Sequence, residues 1–260
     1  MILAWITLFD GLLALLLAVV GILLAHFGVT PPFHLHFSPG LFGLTLVLLG
    51  LAISLFGVII GVIALFITFL MPTRRAGRSP AIIGLILALF VLVPILRIRA
   101  SASQYPLIND ITTDTKNPPV FTNALNLPAN RGRDMSYKPE TLAAQEAAPI
   151  YQNLQPLKMP GAPPDVYKRV EIIAGEFPGW LVTYRDPASR TVEGVATSTL
   201  FQFKDDFIIQ VRPDPSGSGS LVEMRSKSRD GKGDLGANYN RIESFFTAMQ
   251  GPVRGATPPS

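Results

Sequence analysis

The stretch Arg225-Ser-Lys-Ser-Arg-Asp-Gly-Lys-Gly-Asp-Leu-Gly-Ala-Asn-Tyr-Asn-Arg241 reads as the end of a β-strand running into the start of a helix. Arg225, Lys227 and Arg229 alternate with Ser226 and Ser228. On a strand the three cations therefore share one face and the two hydroxyls the other. Gly231 and Gly233 then loosen the backbone, and Asp234 stands where a helix N-cap would stand. Downstream, Leu235, Tyr239, Ile242, Phe245, Phe246 and Met249 recur at helical spacing. Two readings of the junction stay open. In one, Arg225, Lys227, Arg229, Lys232, Asp234, Asn238 and Arg241 form an anion-binding site, with backbone N–H groups around 231–236 as further donors. In the other, Asp234 caps the helix, Arg225 or Arg229 pairs internally with Asp234, Asp205 or Asp206, and the stretch is a structural hub.

Outward from the junction, strands are predicted at 180–185, 191–203, 207–212 and 221–228, with Asp205-Asp206 read as a turn. An amphipathic helix is predicted at 165–177, where Val166, Tyr167, Val170, Ile173 and Phe177 fall near one face. The order α-β-β-β-β-α predicts an α+β fold: an antiparallel sheet of about four strands with flanking helices. Residues 100–164 are rich in proline and are expected to run extended over the 165–250 domain, with a short helix near 140–148. The tail 251–260, rich in proline and glycine, is expected to be disordered.

The first 99 residues differ in kind. Their only formal charges are Asp10, Arg74, Arg75, Arg78, Arg97 and Arg99. Uninterrupted apolar runs predict a three-helix transmembrane bundle, with spans near 6–27, 41–70 and 80–97. The first run lacks a basic leader and a small-residue cleavage site, so it reads as a retained anchor. Gly11, Ala14, Ala18, Gly21 and Ala25 form one stripe of small residues. Gly50, Ser54, Gly57 and Gly61 form a second, and Ala81, Gly84 and Ala88 a third. Such stripes let helices approach closely in lipid. Asp10 is expected to pair with Arg74, Arg75 or Arg78. The 71–79 loop carries three arginines and the 28–40 loop no Lys or Arg, which predicts a cytoplasmic N-terminus and an extracytoplasmic C-terminal domain in the cell (inner) membrane.

The remaining 17 Lys and Arg against 17 Asp and Glu leave residues 100–260 without net charge, which argues against nucleic acid as a partner. The absence of cysteine excludes thiolate chemistry and Cys-type metal sites. His34 and His36 are too few for a metal site and read as interfacial residues. No cofactor and no metal are expected. The soluble half has no histidine, so a Ser-His-Asp triad is excluded. A Ser-Lys hydrolase using Ser226 or Ser228 with Lys227 or Lys232 is the enzyme reading that survives.

Three segments together resemble a bacterial and plastid family called domain of unknown function 1499. They are Asn109-Asp110-Ile-Thr-Thr-Asp114-Thr115-x-x-Pro118-Pro119-x-Phe121, Phe203-x-Asp205-Asp206-Phe207-x-Ile209-x-Val211-Arg212, and the Arg225–Arg241 stretch itself. The resemblance covers about residues 105–250. It implies a fold and an envelope location, with no activity and no catalytic residues. The resulting expectation is an integral membrane protein that displays an extracytoplasmic (periplasmic) domain. That domain binds a partner, a lipid or an envelope polymer. The alternatives are a structural accessory subunit of a membrane complex and a hydrolase. The expected partners are the lipid bilayer and either another membrane protein or an anionic envelope ligand.

Overall fold

The computed structural model describes residues 1–31, 38–217 and 219–251. The readings of His34 and His36, and of the tail beyond Gly251, lie outside the described residues. The chain divides into two compact units, Met1–Ser101 with Thr199–Gln202 and Ala102–Ser198 with Phe203–Ser260.

The first unit holds three helices, α1 (Ile2–His26), α2 (Pro39–Leu70) and α3 (Arg78–Ala102), with a 3-10 turn at Pro72–Gly77. Each is long and apolar enough to cross a membrane. Ser38 starts α2 by accepting from Leu41 N–H at 3.3 Å, and Pro39 fits the first helical position because it has no N–H to satisfy. Helix α3 runs through Pro94 and past the expected end near 97, because proline removes one backbone donor while the residues around it favour helix. The small residues face inward and the large ones outward. A Cβ at Gly11 would stand 2.6 Å from Gly84 O, and one at Gly50 would stand 2.8 Å from Ala14 O. Backbones thus meet along these stripes, while Leu16, Leu55, Phe66 and Phe90 are exposed on the outside.

Asp10 departs from expectation. Among the described residues it pairs with none of Arg74, Arg75 and Arg78, and its Oδ2 is buried without a hydrogen-bond partner. Its Cβ lies 3.2 Å from where a Cβ at Gly57 would stand. Arg78 instead donates from Nε and Nη2 to the Thr68 carbonyl at 3.3 and 3.0 Å. The small-residue seam draws Asp10 inward, and the helix end draws Arg78 to an open carbonyl.

The second unit is α+β with a fully antiparallel sheet. Its strands are β1 (Asp110–Thr112), β2 (Leu157–Pro160), β3 (Trp180–Asp186), β4 (Thr191–Thr197), β5 (Lys204–Pro213) and β6 (Gly219–Ser228). The order is β1-β6-β5-β4-β3, and β2 also pairs with β6. One edge of β6 therefore carries two short strands end to end, β2 opposite 219–222 and β1 opposite 225–227. Both come from the proline-rich segment, which raises the count from the expected four strands to six. Three residues of β1 carry too little periodicity to register as a strand alone.

Helices α4 (Pro139–Ala147), α5 (Pro163–Glu176) and α6 (Ala237–Gln250) complete the unit. One sheet face packs on α5 and α6 through Val170, Ala174, Ile242, Phe245 and Met249 against Phe207, Ile209, Val222 and Met224. Trp180 stacks on Phe207 and Phe245 at centroid distances of 4.2 and 5.3 Å. The proline-rich segment also covers the other face. Phe121, Ala124 and Met135 pack there around Ile208.

Two local expectations shift. Asp205 and Asp206 lie inside β5 and not in a turn, while the turn falls at 199–201, after β4 ends at Thr197. Helix α6 starts at Ala237, because Leu235 and Gly236 adopt left-handed φ of 54° and 86°.

Candidate functional site

Strand β6 positions the junction residues alternately, as its pleat requires. Arg225 and Lys227 point to the face covered by the proline-rich segment. Ser226 and Ser228 point to α6.

Arg225 is the largest of the fully buried side chains, 1% exposed. Its Nε and Nη2 donate to the two Asp110 oxygens at 2.9 and 2.8 Å, a bidentate pair. Nη1 donates to Pro119 O at 3.2 Å and Nη2 to Met135 O at 2.9 Å. The guanidinium lies 4.9 Å from the Phe121 ring centroid and 5.3 Å from that of Tyr137. One side chain thus ties β1 and two points of the proline-rich segment to β6. Lys227 Nζ donates to Asp110 Oδ2 at 2.7 Å. Burial, reinforced by the Asp110 charge, pushes the Tyr137 hydroxyl well above its ordinary range, and that hydroxyl donates to Gln145 Oε1 at 2.9 Å.

A second knot surrounds Asp206, which is fully buried. Arg229 pairs with it at 2.6 Å and Arg133 at 3.1 Å. Nearby, Glu193 accepts from Thr122 N and Oγ1, Asn123 N and Ala124 N at 2.6–3.1 Å. It caps the short turn at Ala124–Asn126 from across the sheet.

On the α6 face, Arg241 donates to Asp205 Oδ2 and to Asn238 Oδ1, and to Ser226 Oγ at 2.8 Å. Ser226 Oγ donates to Asn238 Oδ1 at 2.7 Å, and Asn238 Nδ2 donates to Ser228 Oγ at 3.0 Å. Asp234 accepts from Gly236 N at 2.9 Å and Asn238 N at 2.8 Å, so it caps α6 from just outside it. Burial pushes the Asp234 carboxyl up, and these two amide bonds oppose the shift.

Six of the seven candidate residues are thus held by internal partners, in two groups on opposite faces of the sheet. The seventh, Lys232, is exposed on the loop before α6. Arg229 does meet Asp206, as expected, and Arg241, for which no ion-pair partner was expected, meets Asp205. Arg225 meets Asp110 and none of the three aspartates expected. A residue 115 positions away in sequence becomes its neighbour through the β1–β6 register, which puts Asp110 opposite Lys227. Glu193, Arg133 and Gln145 were not among the expected site residues. Each joins the proline-rich segment to itself or to the sheet, and no periodicity encodes that segment's path.

The Ser-Lys reading loses its geometry for Lys227. Ser226 and Ser228 are bonded on the α6 face, while Lys227 is bonded on the other. A nucleophile and its base must lie within hydrogen-bond reach.

An open cleft of about 540 Å³ with a mixed polar and apolar lining lies elsewhere, beside β1. Its lining includes Asp114, Lys116, Glu146, Gln152 and Gln155. The Lys116 and Gln152 side chains make no hydrogen bond or ion pair among the described residues and are exposed.

A family model described as "Protein of unknown function (DUF1499)" matches residues 110–249, more than half of the chain. No curated protein and no solved structure matches it.

Proposed function

The chain belongs to the DUF1499 family, whose description assigns no activity, and from that premise we propose that it is a membrane-anchored binding module. In this reading the α+β unit lies outside the cytoplasm and takes a hydroxyl- and amide-rich envelope polymer into the cleft beside β1. The observation that carries it is the occupancy of the polar groups. Arg225, Lys227, Arg229, Asp234 and Arg241 of the junction are spent on internal partners, while Lys116 and Gln152 in the cleft are not. A lining of amides, carboxylates, one ammonium and threonines beside Tyr151, Leu154 and Pro156 offers mixed donors and acceptors with some apolar surface, which suits a polymer of hydroxyls and amides better than an anion.

Full-length protein extracted in mild detergent is expected to retain such a polymer, detected by mass spectrometry of the purified sample. Lys116→Ala with Gln152→Ala should strip it while leaving the melting temperature unchanged. Retention untouched by these changes, or no retained polymer at all, sinks the reading.

Arg74 and Arg75 between α2 and α3, with Arg78 at the start of α3, support the orientation. A C-terminal reporter active only in the cytoplasm is expected to stay silent, and activity there reverses the topology. The accessory-subunit alternative gains little from the small-residue stripes, which face one another inside the three-helix unit.

A further inference from the structure

The loop at 230–236 is stapled to the chain that leaves α3. Asn109 Nδ2 donates to Gly231 O at 2.6 Å. Leu107 lies on Gly233, where an added Cβ would stand 2.6 Å from Leu107 Cδ1 and 3.4 Å from its Cα. The Tyr105 ring lies on Gly236, whose added Cβ would fall within 2.7 Å of Cδ2. Glycine at 233 and 236 is what lets segment 105–109 lie flat on this loop.

Two large apolar side chains at the staple stay in the open, Leu107 at 75% and Leu235 at 63% exposure. Leu235 is also held at φ 54°, a left-handed conformation that leucine rarely adopts. Asp234 and Gly236 on either side are locked, by the two amide bonds at the α6 start and by the Tyr105 ring. The backbone therefore holds Leu235 outward at a conformational cost. Lys232 is exposed on the same loop.

Chain continuity says what covers these leucines. Ile98 is the last large apolar residue of α3, four residues before that helix ends at Ala102. At about 1.5 Å per residue this is a rise of only about 6 Å. Leu107 follows Ala102 by five residues, a reach of at most about 18 Å. The membrane surface at which α3 emerges is thus within the tether's length, on whichever side α3 exits. We propose that Leu107 and Leu235 insert into that surface at the headgroup–acyl boundary, with Lys232 at the lipid phosphates. The inference is independent of the cleft and of the orientation.

The chain has no cysteine, so single-cysteine labels are clean. Leu235→Cys and Leu107→Cys would each carry an environment-sensitive fluorophore in full-length protein. The control is Pro215→Cys, exposed in the β5–β6 turn at the far end of β6. That is about 30 Å away along the strand. The proteins would be reconstituted in phosphatidylethanolamine–phosphatidylglycerol vesicles containing lipids brominated near the top of the acyl chain. Blue-shifted emission and several-fold stronger quenching at 235 and 107 than at 215 are expected. Quenching equal to the control overturns the proposal. So does a blue shift without lipid quenching, which would mean that protein covers the leucines.

Discussion

Replacing Asp110 by alanine is expected to cost the α+β unit about 3–5 kcal/mol, the usual cost of leaving a buried charge without its partner. Asp110 is the shared acceptor of Arg225 and Lys227, and all three side chains are buried. Removing it strands two cations under the proline-rich segment. Against a total stability of about 5–15 kcal/mol, the loss should lower the melting temperature by on the order of 10 °C. Thermal unfolding followed by near-ultraviolet circular dichroism reads it. Arg225→Met alone leaves Asp110 to Lys227 and orphans the Pro119 and Met135 carbonyls. The double variant is expected to be more stable than the two single losses would sum to. Additive losses would show that the pair is not the coupling element, and a drop of only 1–2 °C for Asp110→Ala would reject the hub.

Replacing Gly84 by leucine is expected to unseat α3. A Cβ at Gly84 would fall on the Thr7 carbonyl group and stand 2.5 Å from Leu8 N. These are backbone atoms of α1, so no side chain can yield and the helices must separate. A cysteine pair reports on the seam. Cβ atoms at Gly57 and Ala88 would lie 3.7 Å apart, close to the disulfide mean of about 3.8 Å. Gly57→Cys with Ala88→Cys should cross-link on oxidation in the otherwise native chain and fail to do so once Gly84→Leu is added. An undiminished cross-link would mean that Gly84 does not seat α3.

Elements with a strong period were legible in the sequence. The three apolar helices, the amphipathic α5, and strands β3, β5 and β6 were found close to their observed ends. Local backbone chemistry was legible in part. Asp234 was recognised as the cap of α6, but the left-handed turn at Leu235–Gly236 that delays the helix was not, since leucine gives no sign of it. The Arg225–Arg241 stretch was seen to be polar and distinctive, with its two faces correctly divided. Its decisive partner was not found, because Asp110 reaches Arg225 across 115 residues through strand pairing. Nothing in the spacing of a proline-rich segment reveals which of its carbonyls will meet a guanidinium. Asp10 shows the converse: charge sign suggested an ion pair with the nearby arginines, and close packing on Gly57 took precedence.

Strand β6 has a bearing on how the protein is made. It is the partner of β1, β2 and β5, and only α6 follows it among the described elements. Ribosomes deliver the chain from its N-terminus, so β1, β2 and the loops around Pro119 and Met135 emerge long before the strand that receives them. Until then they have neither a ladder nor a guanidinium to close on. The covered face of the sheet must therefore wait for β6 to be made, and it assembles through contacts of high sequence separation, which form slowly. The abundance of proline and polar residues in the waiting segment suits that interval, because such a stretch offers little for premature strand pairing or aggregation.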